Sequence, residues 1–284
     1  MNDLIFYCMS GRAHLPYLVV SLHTLRRYYQ GRVRVIAWEE SWPIVRRIWE
    51  DPRLKIEASL STPEYRGKNA QFLHKIDLAQ ALRQDADRLL YLDADTLLRD
   101  SPQPILDAVA GGRSFAVTQF NDWTTGSSVI RGRVNELWDV PGVNQRAVAA
   151  CLNDPLPSVN GGVWACRPDS PVLPTWRAWT WAAREKFIAD EKVLHVMQAE
   201  YPAEVAIMAG GRWNASPKYS RLPDAEVALW HGHGDSFTRP SKSAKGAELW
   251  LPIFREVVEG NVGGIQEWPS IHCDNRFLKA LLND

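Results

Sequence analysis

No two of the four cysteines, Cys8, Cys151, Cys166 and Cys273, stand close enough to make a Cys-x-x-Cys pair, which speaks against structural zinc and for buried reduced thiols. Net charge is absent as well. Lysine plus arginine and aspartate plus glutamate number 33 each, so the chain has no overall pull toward nucleic acid or an anionic membrane. No stretch reaches the roughly 20 apolar residues that span a bilayer, and Met1-Asn2-Asp3-Leu4 has neither the basic lead nor the apolar core of a secretion signal. A soluble, cytoplasmic protein without a transmembrane segment is expected. Also missing is a glycine-rich phosphate loop after the first strand, where Ser10-Gly11-Arg12 offers one glycine. There is no internal repeat, low-complexity tract or long linker.

What is present suffices for a large core: 284 residues, 45% of them hydrophobic, including thirteen tryptophans read mostly as packing residues. Apolar runs at 4–9, 32–38 and 54–58 read as strands. Helical spacing at 43–49 and 71–83, and in the segment holding Pro16, Leu18, Ser21, Leu22 and Leu25, alternates with them. Such alternation predicts right-handed crossovers and a mostly parallel sheet flanked by helices. The second half is less regular. Strands are expected at 114–118, 158–166 and 227–230, helices at 144–152, 172–187 and 190–199, and a C-terminal helical extension from 245 to the end.

The most informative segment is Leu89-Leu90-Tyr91-Leu92-Asp93-Ala94-Asp95. It sets two carboxylates one residue apart at the end of a buried strand, where ligands of open α/β sheets collect. Paired hard oxygen donors suit Mg2+ or Mn2+, ions that commonly bridge carboxylates to nucleotide phosphates. Further along come Asn160-Gly161-Gly162, whose glycines admit close approach of a backbone, then Asp190-Glu191, Trp213-Asn214 and His231-Gly232-His233-Gly234.

The order of these stations resembles glycosyltransferase family 8, in its glycogenin-like and bacterial lipooligosaccharide galactosyltransferase-like members, over about residues 3–240. The resemblance implies a GT-A fold, Rossmann-like, as one domain. Residues 1–100 would form the nucleotide-sugar-binding half, 101–240 the sugar and acceptor half, and 241–284 the helical extension. It implies a metal-dependent, retaining transfer of a hexose from a nucleotide diphosphate sugar, with UDP expected, to a hydroxyl acceptor that is a glycan, a protein or a nucleobase. Asp93, Asp95 and His231 would hold manganese (or magnesium), with His233 the alternative ligand. Lys75, Tyr91, Asn160, Gly161, Gly162 and Gly234 would contact the donor, and Met9 and Ser10 would lie near its base. Asp190 and Glu191 would stand at the reacting sugar.

Several positions depart from the family pattern. Glu191 stands where the family carries glutamine, as a nucleophile or as an acidic residue favouring the first turn of its helix. An acidic or Asn residue after the first strand is replaced by Met9-Ser10-Gly11, and the Lys-Pro-Trp that follows the histidine station is replaced by Lys242 and Lys245 at other spacings. Trp123, Arg131, Arg133 and Trp138 make an acceptor-side stretch or a packed insertion. Two other functions stay open, a nucleotidyltransferase and a non-catalytic carbohydrate or nucleic-acid binding module.

Overall fold

The computed structural model describes residues 2–239 and 241–268. In chain order its elements are β1 Asp3–Met9, α1 Leu15–Tyr28, β2 Arg32–Ala37, α2 Trp42–Glu50, β3 Glu57–Leu60, α3 Ala70–Leu82, β4 Arg88–Leu92, β5 Thr96–Leu98, α4 Gln103–Asp107 and β6 Phe115–Thr124. Then follow α5 Ser128–Asn135, α6 Gln145–Asn153, β7 Pro157–Cys166, α7 Val172–Ala183, α8 Asp190–Glu200, β8 Val205–Met208, α9 Gly210–Trp213, β9 Leu229–His231 and α10 Ala244–Glu259. A mixed, mostly parallel sheet is ordered β3-β2-β1-β4-β7-β6-β8, and β5 and β9 form a separate two-stranded ribbon. β7 runs antiparallel to both its neighbours, β4 and β6.

The chain divides into two compact units, one made of residues 1–5, 63–92 and 103–214, the other of residues 6–62, 93–102 and 215–284. In the first, β4 is buried along its whole length; Leu89–Leu92 is accordingly an apolar run, and the buried Arg88 that opens the strand is paired with Asp3 and Asp107. Trp164 of β7 stacks on Tyr91 and Phe115, with ring centroids 5.3 and 5.8 Å away, and meets Trp176 of α7 edge-on at 5.2 Å. Each such pair contributes roughly 0.5–1.5 kcal/mol beyond its buried area. α3 buries Leu73, Ile76, Ala79 and Leu82 on one stripe, and Lys75 with them. In the second unit α1 packs along β5, and Trp250 of α10 stacks on Phe254 at 4.5 Å and meets Tyr17 of α1. Ser243 caps α10 by accepting from the Gly246 N–H, as Asn144 caps α6 by accepting from that of Arg146.

Several boundaries differ from the sequence expectation. The third strand begins at Glu57 rather than 54, because Lys55 takes a left-handed φ of 46° that ends pairing on its N-terminal side. β6 runs on to Thr124 through an irregularity at Asn121, φ 53°, and helix α5 follows inside the stretch expected to be irregular. α7 ends at Ala183 instead of 187, and β8 was not anticipated. Cys151 and Cys166 are thiols outside any disulfide among the described residues, and burial pushes Cys151 up to about 11 and Cys166 up to about 12. Cys273 and the end of the helical extension, 269–284, lie outside the described residues. No helix among the described residues is long and apolar enough to cross a membrane.

Candidate metal centre and sugar-binding group

β4 ends at Leu92, and the turn that follows carries Asp93 and Asp95 before β5 begins at Thr96. β5 pairs antiparallel with β9 so that Thr96 stands opposite His231, and the Gly232 N–H donates to the Asp95 carbonyl at 2.7 Å. A histidine distant in sequence is thereby delivered to the acidic turn by one short ladder. His231 Nε2 lies 3.2 Å from Asp95 Oδ1 and 3.5 Å from Asp93 Oδ2. One ligand atom from each of the three residues falls within 4.8 Å of the others.

Burial alone would strip the proton from His231, but Asp95 and Asp93 outweigh it and push the imidazole up to about 10. The pocket is therefore built to hold positive charge. Two carboxylate oxygens and one imidazole nitrogen form a donor set that fits a hard divalent cation such as Mn2+ or Mg2+. The His233 ring packs on His231 with centroids 3.8 Å apart, and burial, followed by the charge on His231, holds it far below the ordinary range. Gly234 follows it in the short 3-10 turn His233–Asp235. Lys245 pairs with Asp224 at 2.5 Å and lies over the Trp230 ring.

In the first unit a second group gathers around Gly161. Lys75 Nζ lies 2.7 Å from Asp190 Oδ2 and donates to the Gly161 carbonyl at 2.9 Å, both side chains almost wholly buried. The rings of Tyr91 and Phe72 lie 5.5 and 5.8 Å from the ammonium. A side chain at Gly161 would press on this pair. A Cβ there would sit 2.9 Å from Lys75 Nζ and 3.0 Å from Asp190 Oδ2. Asp190 opens α8 and turns its second oxygen, Oδ1, into a buried position with no partner among the described residues. Glu191 Oε1 accepts from Asn160 Nδ2 and from the Gly161 N–H, while Oε2 lies 3.9 Å from Arg133. Burial, then the charge of Asp190, raises the Glu191 carboxyl above its ordinary range, opposed by Lys75. Asn160 Oδ1 accepts from the Gly162 N–H at 2.9 Å and from Asn214 Nδ2 at 3.2 Å. Asn214 thus buttresses Asn160, next to a buried Trp213.

The structure thus brings the sequence-selected residues together in two clusters, Asp93, Asp95 and His231 in one, and Lys75, Tyr91, Asn160, Gly161, Gly162, Asp190 and Glu191 in the other. Met9 is buried, Ser10 half-buried, and Trp123, Arg131, Arg133 and Trp138 are exposed. One residue that sequence reasoning missed is His195. Its Nδ1 donates to the Glu191 carbonyl at 2.6 Å and its Nε2 accepts from the Val159 N–H at 3.2 Å, tying α8 to the start of β7. The only sequence signal is its place one helical turn after Glu191.

That arrangement requires a neutral ring, and burial, aided by Arg133, lowers His195 to about 4 against its bond to Glu191, while burial likewise lowers His74 to about 4. Both folded values lie below the unfolded one, so the unfolded chain binds more protons between them and stability is lost as pH falls from about 6.5 toward 4. Each histidine is expected to cost about 2 kcal/mol of unfolding free energy between pH 7 and pH 5. Urea denaturation at the two pH values measures this, and His195→Gln, whose amide keeps one donor and one acceptor, is expected to flatten the difference by its share.

Comparison with solved structures gives three close architectural parallels. Mouse xyloside xylosyltransferase 1 in its apo form matches at a TM-score of 0.57 and 14% identity, over 82% of this chain and 98% of that one. The galactosyltransferase LgtC, solved with donor and acceptor sugar analogues, matches at 0.59 and 17% over 89% and 95%. An active-site mutant of LgtC, glutamate replacing glutamine, matches at 0.60 and 18% with the same coverage. The fold is GT-A. Its structural neighbours are glycosyltransferases of the family 8 type, at low sequence identity. No protein-family model matches the sequence, and no curated protein does. Within the GT-A frame the Asp-x-Asp turn and its histidine form a possible metal group.

Proposed function

We propose that the chain is a metal-dependent glycosyltransferase that moves a hexose from a nucleotide diphosphate sugar, a UDP-sugar in the first instance, to a hydroxyl acceptor with retention of anomeric configuration. The observation that carries this reading is the convergence of Asp93, Asp95 and His231 in a GT-A fold. A bound Mn2+ or Mg2+ would neutralise the charge that develops on the departing diphosphate. Asp93, Asp95 and His231 would fix its place. Asp190, held by Lys75, has one oxygen without a partner among the described residues and would accept from a sugar hydroxyl; Asn160 and the backbone of Gly161 and Gly162 would line the same sugar.

The chemistry we assign is same-face displacement. The bond from C1 to the phosphate oxygen breaks with its electron pair leaving on the diphosphate, the acceptor oxygen bonds to C1 on that face, and the acceptor proton passes to the departing oxygen. Glu191 favours this over a covalent intermediate, since Oε1 is already engaged by two donors. Asp190 is likewise tied to Lys75.

Incubating the full chain with a panel of nucleotide sugars and Mn2+ is expected to release nucleoside diphosphate from one of them, and chelation with EDTA to stop it. Pyrophosphate release from a nucleoside triphosphate would instead establish a nucleotidyltransferase. Tight binding of donor with neither reaction would establish a binding module.

A further inference from the structure

Behind the metal turn runs a line of buried hydroxyls. Thr96 Oγ1 donates to the Asp93 carbonyl at 2.9 Å, Ser21 Oγ of α1 lies 2.8 Å from Thr96 Oγ1, and Tyr7 Oη of β1 lies 3.0 Å from Ser21 Oγ. All three side chains are essentially without solvent contact. Each hydroxyl has a single proton, and a carbonyl can only accept, so the direction of the line is fixed. Thr96 spends its proton on Asp93, accepts from Ser21, and Ser21 accepts from Tyr7. Burial raises the Tyr7 phenol, so its proton is present to begin the series. Aligned hydroxyls of this kind strengthen one another.

The turn is consequently held at the carbonyls of its two acidic residues, Asp93 by Thr96 and Asp95 by the Gly232 N–H. Both carboxylates stay clear of these bonds. We propose that Tyr7, Ser21 and Thr96 form an outer-sphere hydroxyl line that orients the Asp93–Asp95 turn for a divalent cation, with Thr96 its terminal positioning residue. A bond from Thr96 to the carbonyl three residues earlier is also a common local turn motif. A purely local motif would not need α1 and β1 behind it. The two therefore differ in whether Ser21 and Tyr7 matter to the metal.

The inference rests on the metal reading above, and the test separates them. Mn2+ affinity of the full chain is measured by calorimetry at 25 °C for the wild type, Asp95→Asn, Thr96→Val, Thr96→Ser, Ser21→Ala and Tyr7→Phe. Thr96→Val removes the hydroxyl and keeps the branched shape; Thr96→Ser keeps the hydroxyl and loses the methyl. Thr96→Val is expected to weaken Mn2+ binding by about 10–100-fold, as outer-sphere partners do. Thr96→Ser is expected to bind near wild type although it too is less stable, with Ser21→Ala and then Tyr7→Phe giving smaller losses in that order. Wild-type affinity in Thr96→Val, or equal weakening in Thr96→Val and Thr96→Ser, overturns the inference while leaving the metal site intact. Unchanged affinity in both Ser21→Ala and Tyr7→Phe overturns it as well, whether or not Thr96→Val folds, since the bond from Thr96 to Asp93 would then act alone. A wild type that binds no better than Asp95→Asn removes the metal reading itself, and the inference with it.

Discussion

Asp95→Asn is expected to abolish measurable Mn2+ binding and to lower kcat/KM by about a thousandfold or more, while the variant stays folded. The size follows from the role assigned to the ion. Stabilising charge on a leaving diphosphate supplies several kcal/mol, and each 1.36 kcal/mol is a factor of ten in rate. An amide in place of the carboxylate keeps the shape and loses the charge. Folding is preserved because the turn is fixed through backbone, the Asp95 carbonyl accepting from Gly232 and the Asp93 carbonyl from Thr96, neither of which involves the substituted side chain. The Asp95 side chain is also partly exposed, so no buried group is orphaned except one contact to His231. Calorimetric Mn2+ titration, steady-state kinetics and thermal melting measure the three parts separately. Turnover in Asp95→Asn that is near wild type and indifferent to EDTA would exclude a metal-dependent reaction at this turn.

The acidic pair was legible because it is a local pattern, an apolar strand running into two carboxylates, and local periodicity survives folding. His231 was legible only through the order of stations. Its arrival depends on pairing between Thr96 and His231, a contact that no spacing rule encodes. Lys75 and Asp190 were each picked out as ligand contacts, but that they satisfy one another was not visible, since they come from α3 and α8 and meet across a glycine whose missing Cβ makes the room. Boundaries failed where backbone conformation overrode pattern. Lys55 and Asn121 take positive φ without being glycine, and the four residues of β8 are too short an apolar run to be told from a helix fragment. The hydroxyls of Tyr7, Ser21 and Thr96 gave no signal at all, because in sequence each is an ordinary residue of a strand or helix.

Lys75→Met is expected to lower stability by about 3–5 kcal/mol, the usual cost of removing one partner from a buried ion pair, and so to lower Tm by roughly 10 °C. The side chains of Lys75 and Asp190 are only 5% and 2% exposed, so water cannot replace the lost ammonium. Asp190 would be left with both oxygens uncompensated, while Gly161 keeps a donor to its carbonyl from Trp164 Nε1 at 3.1 Å. The deficit should therefore come from stranded charge more than from lost packing. That distinction is testable with the double variant Lys75→Met/Asp190→Asn, in which the charge is gone as well and most of the lost stability should return. Lys75→Arg is not expected to rescue the site, because a guanidinium needs more room than the pair has beside Gly161 and presents a fixed fork rather than a point charge. The double variant should remain inactive despite its recovered Tm, since the carboxylate that would accept from a sugar hydroxyl is absent. A single variant that melts with the wild type would mean that Asp190 does not depend on Lys75, and a double variant with full activity would remove Asp190 from the sugar-binding group.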